Sequence, residues 1–599
     1  MVATEKPLDT AEYLARWQEL DAEKKPWLIH YQALAEIFLT RKMDFTRMMI
    51  PGQFLQADVF DNTGQFSAYT FASLFLSMMW PDSERTFRLK PVDRLKKIPG
   101  VEEYFRWATH QMHEAMDQPE AGLSMALMEH FLDTGIFGIS GIATLDGPED
   151  DDELPVVYDS WGVKNMCVAE TAQGYVDTVY YVRPLTVRQI VKEYNKPGDT
   201  VPNKIQKQYE DGKYSEKYDV LTVVEPKKPE ANKSGVAAMP VRTIHIVVNA
   251  GEMLNPGASA LGRVRLGGAD DMYIAVGRLF KSLDETQGRS CGMLALPDAQ
   301  SLNALTEAVL VAAEKLLDPP LAVLDDGRLG GGVIDTSAGA LNVFNSSGRM
   351  GNEKPIFPIN TVGEMQSALE QQKSLMGKIA QAFFLDRLLD LNNQTQMTAY
   401  ETSVRDKIRG EALGGIFARQ EKEVMTPTVK TTFNKLFRKG YLGIVNKGPG
   451  AKLRKKWDDI VGAEKVVVPA AVIKAWQAGL NVFEVEYISP AKRFQQAGKL
   501  QGLMTAIDAI ISMAPVIPGI TDRIDADQAP ADIFAYAGAP VTSLRTMDAT
   551  KKFRAANRQA ADEQAKAAAQ EQQANIGLKT AQARQALGTA APAPGAGGK

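Results

Sequence analysis

Residues 297–440 constrain the fold of this 599-residue chain more than any other stretch, because they combine three helical patterns with two different connections. Apolar residues recur at three- and four-residue steps over residues 298–317, which predicts a helix that opens at Pro297 with Asp298 as its N-cap. Two prolines follow at residues 319–320. They end the helix, since proline lacks a backbone donor and clashes with the preceding turn.

The second and third helices each open on a capping box. Thr361 with Glu364 begins one helix and Thr398 with Glu401 begins the other; in this motif the two side chains satisfy free backbone N–H groups reciprocally. The insert at residues 318–360 is predicted to be irregular, because glycine and proline punctuate it. Two helices that leave and return on one side of an insert present it as a protruding tip. The short loop between the second and third helices makes a second tip at the opposite end. Residues 297–440 therefore predict a long, thin element with a tip at each end.

This order of elements resembles the portal, or head-to-tail connector, proteins of short-tailed, podovirus-type bacteriophages: stem helix, clip, stem helix, tunnel loop and long wing helix. The resemblance covers most of residues 10–560, and its specificity lies in the order of the parts, since no single motif is diagnostic. The resemblance to this family is also present in short segments of the sequence: Asp61–Gly64, Ala72–Leu74, Met79–Pro81, Ser301–Asn303 and Met397–Glu401.

The resemblance implies a mixed α+β, mainly α-helical fold with wing, stem, clip and crown or barrel parts, assembling as a ring. The implied divisions are a wing with a helical N-terminal part and a β-rich α/β body (1–294), a first stem helix (295–317), a clip (318–360), a second stem helix (361–390), a tunnel loop (391–397), a long wing helix with a small β/α piece (398–495), crown or barrel helices (496–588) and a disordered tail (589–599).

The implied function is a channel at one capsid vertex of the virion, through which DNA is packaged and ejected. The implied partners are further copies of the chain, twelve in all, the terminase, tail adaptor and tail proteins, major capsid and scaffolding proteins, and double-stranded DNA that passes without sequence specificity. The chain would be made in the host cytoplasm and would need no cofactor, metal or membrane.

Charged and polar side chains in the stem, tunnel loop and clip are the candidate site residues. For the DNA channel they are Lys373, Lys378, Arg387, Asn392, Asn393, Gln394 and Gln396. For docking of partners at the clip they are Arg328, Arg349 and Lys354. A basic cluster at residues 452–456 is either a solvated face or a contact with DNA or scaffold.

Composition favours a conduit over a DNA-gripping module. The net charge is −5 and the pI is near 5.8, whereas a protein that holds phosphates tightly carries a basic surplus. The length predicts roughly two to four domains. Only two cysteines occur, and the N-terminus lacks the pattern of a signal peptide, so we expect a soluble protein of a reducing compartment.

Catalytic signatures are mostly missing. A G-x-S-x-G motif is centred on Ser290, but no histidine follows it, since the last of the five is His245; a glycine-rich turn before a helix is expected instead. No P-loop motif occurs, so the packaging motor must be another protein. His110 and His113 lack the H-E-x-x-H pattern of a zinc site and are expected on a helix surface. The acidic run 149–153 lacks the alternating ligands of a calcium-binding loop and is expected to be a solvated loop.

Periodicity and turn signals predict the remaining elements. Helices are expected at two segments within 9–40 separated near Pro26, at 66–79, 101–116 and 120–134, after a Thr186–Gln189 capping pair, and at 490–513. Strands are expected at 142–145, 174–182, 218–224, 244–248, 272–276 and 482–488. A kink is expected at residues 426–427, where a proline enters the long third helix.

Two alternatives to a portal stay open at this point. One is a multidomain enzyme whose site uses scattered aspartate and glutamate residues that carry no motif. The other is a different oligomeric protein of capsid assembly. Rings with a central hole would distinguish a portal from an ordinary enzyme, which forms compact small oligomers.

Overall fold

The structure is a computed structural model, and it divides the chain into two compact units, residues 1–495 and 496–599. It describes residues 9–50, 52–53, 58–81, 85–148, 150–194, 199–228, 239–249, 261–269, 271–325, 335–345, 356–358, 365–389, 413–443, 449–461, 467–488 and 490–513, together with isolated positions between 529 and 582.

Helix α1 (Thr10–Phe38) is one continuous helix, so the prediction of two helices separated near Pro26 was wrong. Asp9 caps its start through a complete capping box. Pro26 lies inside the helix, where a proline costs about 3 kcal/mol. Side chains on both sides of it, such as Trp17 and Tyr31, are buried in hydrophobic cores. This packing on both halves outweighs the local cost of the proline.

Helices make up most of the described residues. After α1 they are α2 (Thr63–Met79), α3 (Asp93–Lys96), α4 (Val101–Met116), α5 (Leu123–Phe137), α6 (Val187–Tyr194), α7 (Asn203–Glu210), α8 (Cys291–Leu317), α9 (Met365–Ala382), α10 (Leu385–Leu389), α11 (residues 413–420), a π-helical turn (Glu421–Met425), α12 (Thr426–Lys439), α13 (Pro449–Val461), α14 (Ala470–Gln477) and α15 (Pro490–Met513). Within these described elements, no helix is both long and apolar enough to cross a lipid bilayer.

Thirteen strands lie in the described residues. They are β1 (Phe87–Pro91), β2 (Ile139–Asp146), β3 (Val156–Trp161), β4 (Met166–Glu170), β5 (Val176–Thr186), β6 (Lys217–Pro226), β7 (Val241–Asn249), β8 (Gly262–Ala269), β9 (Ile274–Arg278), β10 (Leu321–Asp325), β11 (Leu341–Asn345), β12 (Ile356–Pro358) and β13 (Phe483–Tyr487).

An antiparallel five-stranded sheet, in the order β4-β5-β6-β7-β8, has a helix-covered core on each face. Successive residues of a strand point to opposite faces. Leu221 of β6 accordingly packs with Tyr13 and Trp17 of α1, whereas the preceding Val220 packs with Ile190 of α6. Thr186 and Gln189 form the predicted capping pair at the start of α6, with the Thr186 backbone N–H donating to Gln189 Oε1 at 2.9 Å.

The largest core joins distant parts of the chain. It contains residues of α2, α4, α5, α8, α9 and α12, together with two small sheets, β3-β2-β9 and β1-β13. In the second sheet, Phe87 pairs with Tyr487 and Pro91 with Phe483, so strands nearly 400 positions apart are hydrogen-bonded neighbours. The predicted strands at 142–145, 218–224, 244–248, 272–276 and 482–488 are confirmed in type, each with shifted ends.

The insert between α8 and α9 contains a sheet, so the prediction of an irregular segment was wrong. Strand β10 lies centrally, parallel to β11 and antiparallel to β12. The three strands are at most five residues long. Such short strands among many glycines show too little alternation of apolar and polar residues to be recognised from the sequence. Their β-branched and aromatic residues, such as Val323, Phe344 and Ile356, were the available signal.

Candidate functional site

Helix α8 begins at Cys291, so the predicted start at Pro297 with Asp298 as N-cap was wrong. Ser290 is the cap: its Oγ accepts from the backbone N–H of Met293 at 3.0 Å and donates to the carbonyl of Ile136 at 2.6 Å. The serine of the G-x-S-x-G motif is thus a buried helix cap, which confirms the expected turn before a helix. Pro297 lies inside the helix.

Helices α8 and α9 form an antiparallel pair. The N-terminal end of α8 is buried in the large core through Cys291 and Ala295, and the C-terminal end of α9 enters the same core through Ile379. Further along the pair, Gln372 Nε2 donates to Thr306 Oγ1 at 3.0 Å, which links the two helices directly. The opposite ends of both helices lead into the β10–β12 insert.

The outer half of this pair exposes large apolar side chains. Leu310 is 50% exposed and Leu317 is 88% exposed, and Val311, Leu316 and Leu369 are exposed as well. Single exposed apolar residues are ordinary, but a cluster on one two-helix element marks an interaction surface. The described part of the chain therefore leaves this surface uncovered.

The predicted channel lysines lie on α9. Lys373 and Lys378 are both exposed, whereas Leu375 and Ile379 of the same helix are buried. Arg387 is exposed on α10, with its guanidinium 5.7 Å from the ring centre of Phe384.

The other predicted site residues lie outside the described part of the chain. For the tunnel loop these are Asn392, Asn393, Gln394 and Gln396, and for the clip they are Arg328, Arg349 and Lys354. Their roles stay predictions.

The second helix of the pair is interrupted, although one helix over 361–390 was predicted. Helix α9 ends at Ala382 and α10 starts at Leu385, because Phe384 adopts a left-handed backbone with φ of 55°. Phe383 is fully buried, with its ring centre 5.5 Å from that of Phe38 and 6.1 Å from that of Phe71. The break turns this phenylalanine into the core and anchors the helix pair to the body.

Asn303 joins two of the segments on which the family resemblance depends. Its Oδ1 accepts from the backbone N–H of Phe60 at 2.7 Å and of Asp61 at 3.2 Å, and its Nδ2 donates to the carbonyl of Asp58 at 3.0 Å. One side chain on α8 thus fixes the loop that leads into α2. Sequence reasoning noted both segments but gave no indication that they meet.

A buried arginine is the centre of a polar network that the sequence analysis missed. Arg278, at the end of β9, is 1% exposed. Its Nη1 binds Glu170 at 3.0 Å and its Nη2 binds Glu423 at 3.1 Å and the carbonyl of Gly174 at 2.9 Å. Two carboxylates and two backbone carbonyls, those of Gly174 and Thr286, therefore compensate the buried charge. Its acidic partners are far away in sequence, and the local signal was an arginine two residues after the predicted strand 272–276.

The network extends from Arg278 to the long helix formed by residues 413–439, because Glu423 belongs to the π-helical turn within that helix. Gln420 Nε2 donates to the carbonyl of Arg278 at 3.0 Å, and its Oε1 lies 3.1 Å from Nε2 of His130. Burial lowers the pKa of His130 to about 4. A Cβ on Gly277 would lie 2.3 Å from Val424, so only glycine lets β9 approach the turn. Regular α-helical bonding is interrupted directly before Pro427, next to the predicted kink.

The remaining candidates for chemistry lie in ordinary packing environments. His113 is buried, not on the surface, and its ring stacks on Phe87 with centres 4.3 Å apart. His110 is exposed and lies beside Glu114. Cys167 and Cys291 are both buried, and burial raises the pKa of the Cys167 thiol to about 11. Across the described ranges, no group of three or more histidine, cysteine or acidic side chains is arranged to hold a metal ion.

Known proteins match the chain over most of its length. The "Probable portal protein" of Bordetella phage BPP-1 is 22% identical over 520 residues, which is 86% of this chain and 85% of that protein. The "Portal protein" of Salmonella phage epsilon15 is 21% identical over 480 residues, or 79% and 77% of the two chains. A chain in the virion of a native gene transfer agent particle is similar at 13% identity and a TM-score of 0.31, covering 72% of this chain and 95% of that one.

The family model described as bacteriophage head to tail connecting protein matches residues 10–544, which is most of the sequence. The chain belongs to the bacteriophage head-to-tail connecting protein family.

Proposed function

We propose that this chain is the subunit of a phage portal, a ring at one capsid vertex through which DNA enters and leaves the head. Family membership and the portal proteins among its relatives support this assignment. The observation that carries it is the α8–α9 pair, which is anchored in the core at one end and exposes leucines along the other. The role is structural, with the motor supplied by another protein.

Ring closure follows from a heterologous interface, in which one face of a subunit binds a different face of the next copy. The exposed side chains of Leu310, Val311 and Leu317 would be covered by neighbouring helix pairs in such a ring. Twelve copies, as the family resemblance implies, would place twelve such pairs around one bore. Helix α8 has 27 residues and is roughly 40 Å long at about 1.5 Å per residue, and the part beyond its buried N-terminal end contributes to the wall.

The β10–β12 sheet is the proposed docking surface for the terminase and for tail proteins. It lies between the outer ends of α8 and α9 in the chain, and it exposes Leu341 and Ile356 on its two edge strands. Edge strands and exposed apolar residues favour protein contacts. Arg328, Arg349 and Lys354 in the same insert are proposed to add charge to that surface.

The ring is tested by imaging the purified full chain. Size-exclusion chromatography and negative-stain microscopy are expected to give ring-shaped particles with a central hole. Leu310→Asp combined with Leu317→Asp is expected to abolish the rings, because it places charge where neighbouring helices would pack. Val467→Asp combined with Leu480→Asp introduces the same two charges at exposed positions outside the pair and serves as the control. A wild-type chain that stays monomeric at all concentrations would refute the proposal.

The channel assignment is tested by reversing charge at Lys373 and Lys378. A ring repeats each side chain as a belt, so Lys→Glu at both positions changes the wall by four charges per subunit. We expect on the order of tenfold fewer DNA-filled heads, because the negative wall repels phosphate. Reversal of the exposed Lys192 and Lys207, on α6 and α7, is the matched control. Normal packaging by intact rings of the α9 variant would contradict a role of these lysines in the channel.

A further inference from the structure

A charged cleft lies beside α5, and none of its lining residues belongs to α8 or α9. It has a volume of about 490 Å³ and lies between α5, strand β3 and the loop around residues 162–165. Met125, Glu129 and Asp133 line it from α5 at four-residue spacing, which places them on one helix face. Nothing in the proposed channel or docking surface uses this cleft.

Two cations organise the carboxylates of α5. Lys42 Nζ lies 3.0 Å from Glu129 and 2.6 Å from Asp133, so it bridges one helical turn. Arg41 binds Glu129 at 2.7 Å and also donates to the hydroxyl of Tyr69 at 3.2 Å. The cleft therefore has a fixed frame of charges at its edge.

Asp133 leaves one oxygen without a partner. Its side chain is 1% exposed, and Lys42 donates only to Oδ1. No donor reaches Oδ2 from the part of the chain that the structure describes. A Cβ built on Gly162, which lines the cleft, would lie 3.6 Å from that oxygen, so Oδ2 lies next to the bare glycine backbone at the cleft. A buried carboxylate oxygen requires a donor.

Negative charge is in excess among the lining residues. Lys164 pairs with Asp44, and Lys42 is shared by Glu129 and Asp133. Asp159 lines the same cleft and forms no ion pair within the described residues. Burial and the nearby Asp159 carboxylate raise the pKa of Tyr181, another lining residue, to about 12. The cleft thus favours a cationic hydrogen-bond donor.

The rim of the cleft indicates that the donor belongs to a protein. Met125 is 69% exposed at the cleft, and Phe66 is exposed one turn before Tyr69 on α2. Tyr69 is linked to Glu129 of the cleft through Arg41, so the exposed Phe66 lies one helical turn from a residue that is joined to the cleft. An apolar rim around a charged centre is typical of a protein interface. A metal ion is not favoured, since the described carboxylates do not form a coordinating group.

We propose that this cleft receives a lysine or arginine side chain of the adjacent copy of this chain, and so forms one half of the heterologous interface that closes the ring. The inference rests on the proposed portal function, which supplies the second copy. The incoming cation donates to Asp133 Oδ2 and balances Asp159, and its apolar neighbours cover Met125.

The test compares ring assembly of the full chain and of Asp159→Asn by mass photometry over a range of protein concentrations. Asp159 is half-buried and unpaired within the described chain, so the variant is expected to fold, as circular dichroism will verify. We expect the concentration at half-assembly to rise roughly tenfold or more. Asp159→Lys should raise it further, and Asp133→Asn should act in the same direction. Asp211→Asn, an equal change of charge on an exposed turn, should have no effect.

The possible outcomes distinguish a failure of the proposed cleft interface from a failure of the portal assignment. If the wild type forms rings and all three cleft variants assemble at the same concentration, the inference is wrong and the portal assignment stands. If the wild type forms no rings, the portal assignment itself is refuted. Spermidine binding to the unassembled chain that is lost in Asp159→Asn, with assembly unchanged, would assign the cleft to a free polyamine and overturn the proposal.

Discussion

Replacing Arg278 by alanine is expected to lower the free energy of unfolding by roughly 3–5 kcal/mol, the usual cost of removing one partner from a buried ion pair. Glu170 and Glu423 lose their guanidinium partner, and the carbonyl of Gly174 loses a donor. Lys281 still contacts Glu170, but Glu423 has no such substitute among the ion pairs of the described residues. Urea denaturation followed by tryptophan fluorescence measures the change.

A compensated variant separates charge from shape in this experiment. Arg278→Met together with Glu423→Gln removes one charge of each sign and keeps the Lys281–Glu170 pair, so no unpaired ion stays buried. It is expected to recover at least half of the stability lost in Arg278→Ala. A loss below about 1 kcal/mol in the single variant would show that the network is not a main connection between β9 and the long helix.

Phe383→Ala is expected to cost roughly 3–5 kcal/mol, because it removes a fully buried ring and leaves a cavity. The ring packs on Phe38 and Phe71, and it follows directly after the last residue of α9. The effect should be local first: protease cleavage within α8 and α9 should increase before the rest of the body unfolds. Thermal unfolding and limited proteolysis, performed on the same sample, measure both.

The adjacent Phe384 provides the matched control. Its φ of 55° is strained for a residue with a side chain, so Phe384→Gly relieves strain while removing a partly exposed ring. We expect its unfolding temperature to stay within a few degrees of the wild type. Equal losses in the two variants would mean that the burial of Phe383 does not anchor the helix pair.

Sequence reasoning was most successful where a local pattern determines the structure. The ends of α4 at Val101 and Met116, the stop of α8 at Leu317 and the capping of α6 by Thr186 and Gln189 all follow from neighbouring residues. It failed at Pro26 and Pro297, because the cost of a proline inside a helix is offset by tertiary packing that the local sequence does not show.

The candidate site was only partly accessible from the sequence. The first helix of the pair followed from the periodicity of residues 298–317, and the second from the capping box of Thr361 and Glu364. The Arg278 network, the Asn303 contacts and the cleft at Asp133 depend on pairs such as Lys42 with Asp133, 91 positions apart, and His130 with Gln420, 290 positions apart. No short segment of the sequence contains both partners of either contact. Such contacts become visible only when the fold brings the elements together.

The pairing of β1 with β13 has a consequence for how the protein is made. Strand β1 ends at residue 91 and its partner begins at residue 483, so the ribosome must add nearly 400 amino acids before the two can meet. At about 5–20 residues per second, this delay lasts on the order of 20–80 seconds. A nascent chain therefore lacks this two-stranded sheet until residues 483–487 have been added.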